Sequence, residues 1–406
     1  MSTLPPVILL GNDCLTGLQI ARILWRRGVP VFGLADRPDS PYCRSRAIVR
    51  TVADTGEDAF TSLLAQLRSR YEEEPAVLPC TDRSTFFLAE NAGRLKGERA
   101  RIVPPAATLD RLGDKAELHL LAQESGWFVP QTRIVREETQ LSPAADELGL
   151  PLVVKPPRRT SAWLAASGDR KVCRFEDRET LLEEAPALLA TSGELVLQAW
   201  IPGSAESSRE LTILYDADAK YVASVVMTKV RQWPPDIGTS SVAREIRDEE
   251  IVAHGRALLE SQSFVGLAQL EYKRDERGGP PVLIEINPGR ATLNQPLCEA
   301  AGVDMTWAWY CTATDRPLEP STLDVVHPGA AWVCWKRDLR AGFVAWRNGE
   351  ISLRDWSASY RGTRWSADVA IDDPLPSLLD LARKTVSLLR RRWRPMTERK
   401  AARPAP

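Results

Sequence analysis

The chain has 406 residues, 44% of them hydrophobic and 26% charged, with a net charge of −1. That is enough for two to four globular domains with substantial cores, and it excludes a disordered or fibrous protein. The balanced charge gives no global pull towards nucleic acid or anionic membrane, so no nucleic-acid partner is expected. The seven cysteines form no CxxC pair and their number is odd, which argues for free thiols in a reducing, cytoplasmic compartment. His119, His254 and His327 are scattered and make no ligand cluster. The N-terminal MSTLPPVILLGND has an apolar run without a basic lead or cleavage site and reads as a strand, not a signal peptide. No apolar stretch approaches the length of a membrane span.

In chain order, VILLG (7–11) is a buried strand. NDCLTGLQIARILWRRG follows, with a helical stripe at Leu18, Ile20, Ala21, Leu24 and Trp25 that Gly28 ends; VPVFGLAD is a second strand. Strand, helix, strand at this length is a βαβ unit with a parallel sheet. Its first turn carries no GxGxxG, because Gly11 and Gly17 stand six apart, so it is not a dinucleotide fingerprint. A helix over 59–70, the strand AVLPCT, a helix capped by Asp82 and the short strand ARIVPP (100–105) complete this layer. Leu109–Gly126 reads as one amphipathic helix containing Lys115, stopped by Gly126.

LGLPLVVKPP places Lys155 at the end of an apolar strand, where a lysine is expensive to bury unless an anion meets it; snorkelling to solvent is the competing reading. A helix around 178–189 leads to ELVLQAWIPG, a strand running into a Pro-limited linker with free backbone groups beside apolar side chains. That combination offers a planar heteroaromatic base its edge hydrogen bonds and flat faces. RELTILYDADAKYVASVVMTKV is a hairpin ending in a basic pair, Lys229 and Arg231, before a Pro-Pro–Gly loop; IRDEEIVAHGRALLESQSF is a helix. FVGLAQLEYKRDERGGPPVLIEINPGR reads as another hairpin. Its mirror centre at Gly278 sets Glu271 opposite Glu285, with Asn287 on the same face. Two facing carboxylates weaken a ladder unless a cation sits between them, and oxygen ligands of this kind suit Mg²⁺. The alternative is the solvated face of an ordinary hairpin.

After Arg290, LNQPLCEAAGVDMTWAWYC is helical. From about 320 the tryptophans at 332, 335, 346, 356 and 365 fall in short strand-like pieces, followed by the helix LPSLLDLARKTVSLLRRRW and a basic tail. The basic end of that helix could touch anionic lipid, although charges there more often solvate the terminus and offset the helix dipole.

The order of these features resembles the ATP-grasp superfamily, most closely in LEYKRDERGGPPVLIEINPGR, and within it the carboxylate–amine ligases of the D-aspartate ligase type, which RQWPPDIGT resembles. The resemblance covers about residues 5–315. It implies an α/β and α+β architecture: a Rossmann-like pre-ATP-grasp domain (1–110), an ATP-grasp small subdomain with linker helix (111–200), a central subdomain (201–320) and a Trp-rich C-terminal extension (321–406). It implies ATP and Mg²⁺ (or Mn²⁺) as cofactors, small-molecule carboxylate and amine substrates, and allows a homodimer. By position, Lys115, Lys155 and Lys229 would contact ATP, Gln198, Trp200 and Ile201 would line the adenine, and Glu206 would meet the ribose. Glu271, Glu285 and Asn287 would hold the metal, and Arg231 and Arg290 would serve catalysis at the γ-phosphate or acyl phosphate. The chain departs from the family where PPRRTSAW lacks phosphate-loop glycines, leaving the grip to Arg158, Arg159, Thr160 or Ser161. It departs again where EINPGR sets Arg290 one residue later than usual.

The chemistry expected is phosphorylation of a carboxylate, a poor electrophile, to an acyl phosphate that an amine attacks; the protein's part is positioning and charge neutralisation. The alternatives are a bicarbonate-using carboxylase-like enzyme of the same superfamily and a non-catalytic ATP-binding module. Acceptor specificity is expected around Asn12–Thr16, Cys80–Arg83 and Trp233–Ser241.

Overall fold

The structure, a computed structural model, describes residues 4–53, 55–95, 102–158, 160–235 and 237–392, with side chains to 386. Three sheets organise it. The first is parallel, in the order β3-β2-β1-β4, from β1 (Val7–Leu10), β2 (Val31–Ala35), β3 (Arg50–Ala53) and β4 (Ala76–Pro79). Every residue of β1, β2 and β4 is buried, as expected of parallel strands covered on both faces. Helix Leu15–Arg26 covers one face and Glu57–Arg70 the other. The expected strand at 100–105 is not formed where it can be seen. Ile102 and Val103 are buried in a bend, and 100–101 lie outside the described residues.

The expected single helix over 109–126 is two, Ala106–Gly113 and Lys115–Ser125, because Asp114 leaves helical geometry and its carboxylate caps the backbone N–H groups of Ala116 and Glu117. Lys115 therefore stands in a first helical turn. Gly126, left-handed at φ 70°, stops the second helix as its position predicts.

The second sheet is antiparallel, order β5-β8-β6-β7, from β5 (Thr132–Val135), β6 (Leu152–Lys155), β7 (Cys173–Phe175) and β8 (Leu195–Ala199). Its own core is built around Trp163, Leu152, Val154, Leu195 and Leu197.

The third sheet has seven strands in the order β13-β12-β9-β10-β11-β14-β15. They are β9 (Ser208–Tyr215), β10 (Tyr221–Trp233), β11 (Thr239–Ile246), β12 (Gly266–Lys273), β13 (Val282–Pro288), β14 (Ala331–Val333) and β15 (Thr363–Ser366). β11, to which the sequence reading assigned no strand, pairs antiparallel with β10. The helix expected over 293–311 is instead two, Leu297–Ala301 and Met305–Thr314, separated at left-handed Gly302. The Trp-rich region is mainly helical where strands were expected. Only Ala331–Val333 and Thr363–Ser366 are strands, whereas Trp335–Arg347 and Leu353–Ala358 are helices. Aromatic content suggested β structure, but Asp338, Ala341 and Gly342 recur at helical spacing on the buried face. Gly342 is required there, since a Cβ would fall 2.1 Å from the Trp356 indole.

This C-terminal region is bound to the rest. β14 and β15 extend the third sheet, Trp332 donates to Gln19 at 2.9 Å, and Arg22 forms an almost fully buried ion pair with Asp373 at 2.9 Å.

Candidate active site

β12 reads GLAQLEYK, and alternation sends Ala268, Leu270 and Tyr272 against Ile251, Leu258 and Leu259 of helix Glu249–Ser261. Gln269 and Glu271 then face the opposite way, into a cleft of about 360 Å³, within the usual range for small-ligand pockets. β13 pairs with β12 in the register expected: Glu271 opposite Glu285 and Gln269 opposite Asn287. The mirror holds from Ala268 to Glu271 and then slips, leaving Ile284 as the extra residue of a bulge. On its other side Glu271 is directly opposite Glu210 of β9. Three carboxylates thus stand in one row across β9, β12 and β13.

Such a row is repulsive on its own, and the cleft counters it with cations. Lys229 of β10 lies 3.2 Å from Glu210 and 3.4 Å from Glu271. Burial opposes its charge, but these two carboxylates prevail and hold its pKa above the ordinary lysine value. Lys115 lies 3.3 Å from Glu285. Lys155, 5% exposed, donates to Gln198 Oε1 at 2.7 Å; burial, and the repulsion of Lys115, pull its pKa down to about 8 against the attraction of Glu285 and Glu271. Snorkelling is therefore not what this lysine does. Gln198 is itself fixed, its amide donating to Thr132 at 3.1 Å. Asn287 donates to Glu271 at 3.4 Å, and its own oxygen accepts from Arg290 at 2.6 Å.

Of the residues the sequence singled out, Lys115, Lys155, Gln198, Trp200, Ile201, Lys229, Glu271, Glu285, Asn287 and Arg290 all line this cleft. The ring of Trp200 carries two cations, Arg174 at 4.2 Å and Lys273 at 4.3 Å. Arg290 is reached through Gly289, whose left-handed φ of 75° and tight contacts, a Cβ falling 2.7 Å from Thr85, explain the glycine inserted into EINPGR.

Two residues are placed elsewhere. Glu206 is exposed outside the cleft, with only its carbonyl engaged, by Thr228 and Arg209. Arg231 turns away from the cleft and is held by Asp338, with Nε–Oδ1 at 2.7 Å and Nη2–Oδ2 at 3.0 Å. Strict alternation would put Lys229 and Arg231 on one face. Register shifts on either side of Arg231 break that alternation and aim Lys229 and Gln232 inward instead. The segment after Lys155 is engaged within the protein. Thr160 caps helix Ser161–Ala166, Arg158 pairs with Asp110 and Asp114, and Arg159 lies outside the described residues.

Sequence reasoning missed Glu210, Gln269 and Asn294, which form one network: Gln269 donates to Glu210 and to Asn294, each at 3.1 Å, and Asn294 donates to Glu210. The signal was present, since Glu210 precedes an alternating apolar strand on the same face as Thr212, but the β9–β12 pairing that sets it beside Glu271 is long-range. Among the described residues no group of three or more His, Cys, Asp and Glu side chains could hold a metal ion. The metal candidates are two carboxylates and one amide, hard oxygen donors of the type Mg²⁺ takes alongside phosphate oxygens.

No protein-family model matches the chain. Among curated proteins it is 26% identical over 238 residues to D-aspartate ligase of Enterococcus faecium (strain Aus0004), covering 56% of each chain. It is 24% identical over 230 residues to the carbamoyl phosphate synthase large chain of Ralstonia nicotianae (strain ATCC BAA-1114 / GMI1000), covering 54% of this chain and 20% of the other. The matches therefore span about half of one relative and a fifth of the other. Among solved structures, the ADP complex of an N5-carboxyaminoimidazole ribonucleotide synthetase superposes with a TM-score of 0.61 at 15% identity, covering 78% of each chain. L-amino acid ligase from Bacillus licheniformis gives 0.59 at 18% identity, covering 82% of this chain and 79% of that one. The chain has a mixed α/β fold that matches these ATP-grasp enzymes. In sequence its resemblance runs to D-aspartate ligase.

Proposed function

We propose that the chain is an ATP-dependent, ADP-forming ligase that activates a carboxylate as an acyl phosphate for attack by an amine, forming an amide or peptide-type bond. The observation that carries this reading is the in-register pair Glu271–Glu285 lying in one cleft with Lys115, Lys155 and Lys229. Lys155 and Lys115 would meet the outer phosphates of ATP, with Lys229 fixing the carboxylate row beneath them. Gln198, Trp200 and Ile201, at the end of β8 and the linker after it, would receive the adenine on the same wall. Glu271, Glu285 and Asn287 would hold Mg²⁺, which neutralises charge between the phosphate oxygens when bound. Arg290, tied to Asn287, would stabilise charge at the transferring phosphoryl group.

Lys155 suits this role because an arriving anion would hold a buried lysine in its charged form. D-aspartate ligase and L-amino acid ligase support an amino acid as one substrate by their names. The test is ADP release from ATP with Mg²⁺, screened against amino acids and organic acids. Release that needs both a carboxylate and an amine supports the ligase. Release driven by bicarbonate without an amine would favour the carboxylase-like reaction, and ATP binding without turnover would favour a nucleotide-binding module.

A further inference from the structure

The end of β10, the turn after it and the start of β11 form one wall of the cleft, through Gln232, Ile237, Gly238, Thr239 and Ser240. Lys171, two residues before β7, donates to Thr239 at 3.0 Å, so the second sheet's region meets the third at this wall. The other side of the wall is covered by helix Trp335–Arg347, which lies beyond the stretch that carries the family resemblance. That helix grips both strands. Asp338 accepts from Arg231 of β10 and Ser241 of β11, both at 2.7 Å, and Arg337 Nη1 donates to the Ser240 carbonyl at 2.9 Å. The Arg340 guanidinium lies 4.6 Å from the ring centroid of Trp233, the last residue of β10. The turn is folded tightly onto that residue: a Cβ on Gly238 would overlap the Pro234 carbonyl oxygen and the Trp233 carbonyl carbon. A shift of Trp233 is therefore passed by backbone contact to Gly238, which lines the cleft.

We propose that helix Trp335–Arg347 is a brace for the cleft, with Arg340 and Arg337 as positioning residues that hold the wall Lys171 meets. Neither arginine is among the residues lining the cleft, so both act through Trp233 and Ser240. The inference rests on the reading of the cleft as an ATP site. Arg340 is exposed, and one cation over an aromatic ring at such a site changes an equilibrium by about two- to fivefold. Its loss thus alters the wall with little effect on the fold.

The test combines steady-state ADP release by the full chain, a thermal melt, and amide hydrogen exchange of the free protein. Arg340→Ala should raise KM for ATP about two- to fivefold, with kcat and the thermal midpoint close to the parent. Arg340→Lys, which keeps a cation over the ring, should restore most of that loss. Trp233→Leu should raise KM similarly, and Arg340→Ala/Trp233→Leu should do no more than the larger single change, since both remove one contact. In the free protein, the amides of residues 237–241 should exchange faster in Arg340→Ala while the rest of the chain keeps the parental rates. A parental KM for ATP in Arg340→Ala, or parental exchange at 237–241, would overturn the proposal. So would a fall in thermal midpoint with faster exchange throughout the chain, which marks a merely structural contact. A parent that turns over no ATP would remove the ATP reading instead, and exchange at 237–241 would then decide the brace alone: faster in Arg340→Ala supports it, parental overturns it.

Discussion

The Arg231–Asp338 pair allows a stringent test, because Asp338 is completely buried and its carboxylate accepts five hydrogen bonds. Oδ1 accepts from Arg231 Nε and Ser241 Oγ, both at 2.7 Å. Oδ2 accepts from Arg231 Nη2 at 3.0 Å, Trp356 Nε1 at 3.2 Å and Tyr360 OH at 2.6 Å. Burial opposes the charge of this carboxylate, but those donors, Arg231 foremost, hold its pKa below the usual aspartate value. Asp338→Ala leaves the Arg231 guanidinium and three neutral donors without their acceptor. Breaking a buried pair in this way costs about 3–5 kcal/mol. At roughly 2–4 °C per kcal/mol for a large domain, the thermal midpoint should fall by about 6 °C or more. Arg231→Met/Asp338→Leu removes both charges and should recover a large part of that loss. The assay is calorimetry or a thermal melt of the parent, the single and the double variant at equal concentration. A single variant that melts with the parent, or a double variant no better than the single, would refute the reasoning. The depressed pKa also fixes the sign with pH. The contribution is present above the unfolded aspartate pKa and is lost as pH falls through the lower folded value.

Other outcomes follow from the cleft. With its pKa lowered to about 8, Lys155 loses charge in alkaline solution, so affinity for ATP should weaken between pH 7 and 9; Lys155→Arg should flatten that dependence, and parallel curves for the two would contradict it. Because the folded state holds this lysine below its ordinary 10.5, its penalty on folding shrinks as pH rises from about 8 towards that value. Gly289→Ala places a side chain at φ 75° against Thr85 and should lower both the thermal midpoint and turnover by shifting Arg290; unchanged values for both would remove the explanation given for EINPGR. Glu210→Ala strips Lys229 of one of its two carboxylates and draws it to Glu271. The Mg²⁺ concentration that half-saturates ADP release should then rise roughly three- to tenfold, and an unchanged value would count against Glu271 as a ligand.

The carboxylate pair was legible in the sequence because the two acids stand at mirror positions about Gly278, whereas the bulge at Ile284, which shifts the register between that pair and the turn, was not. Lys155 was legible because a charge at the end of an apolar strand is an anomaly at any residue spacing. Glu210 was not, since its place beside Glu271 depends on a pairing between strands some sixty residues apart. Arg231 was misplaced for a different reason. A period-2 reading puts it beside Lys229, and the bulges that break the period are a property of the β10–β11 pair, not of either strand's composition. The Trp-rich region was misread because aromatic residues favour strands on average, while the buried positions Asp338, Ala341 and Gly342 recur at helical spacing.

The central claim is that Glu271 and Glu285 hold the metal on which phosphoryl transfer from ATP depends. The most direct measurement compares the parent with Glu285→Gln, a near-isosteric change that removes one charge from the row. Mg²⁺-dependent ADP release is followed at saturating ATP, together with a thermal melt to show that both are folded. The account predicts a loss of turnover of about 100-fold or more in a protein that still melts cooperatively. Glu285→Gln releasing ADP at the parental rate would contradict it.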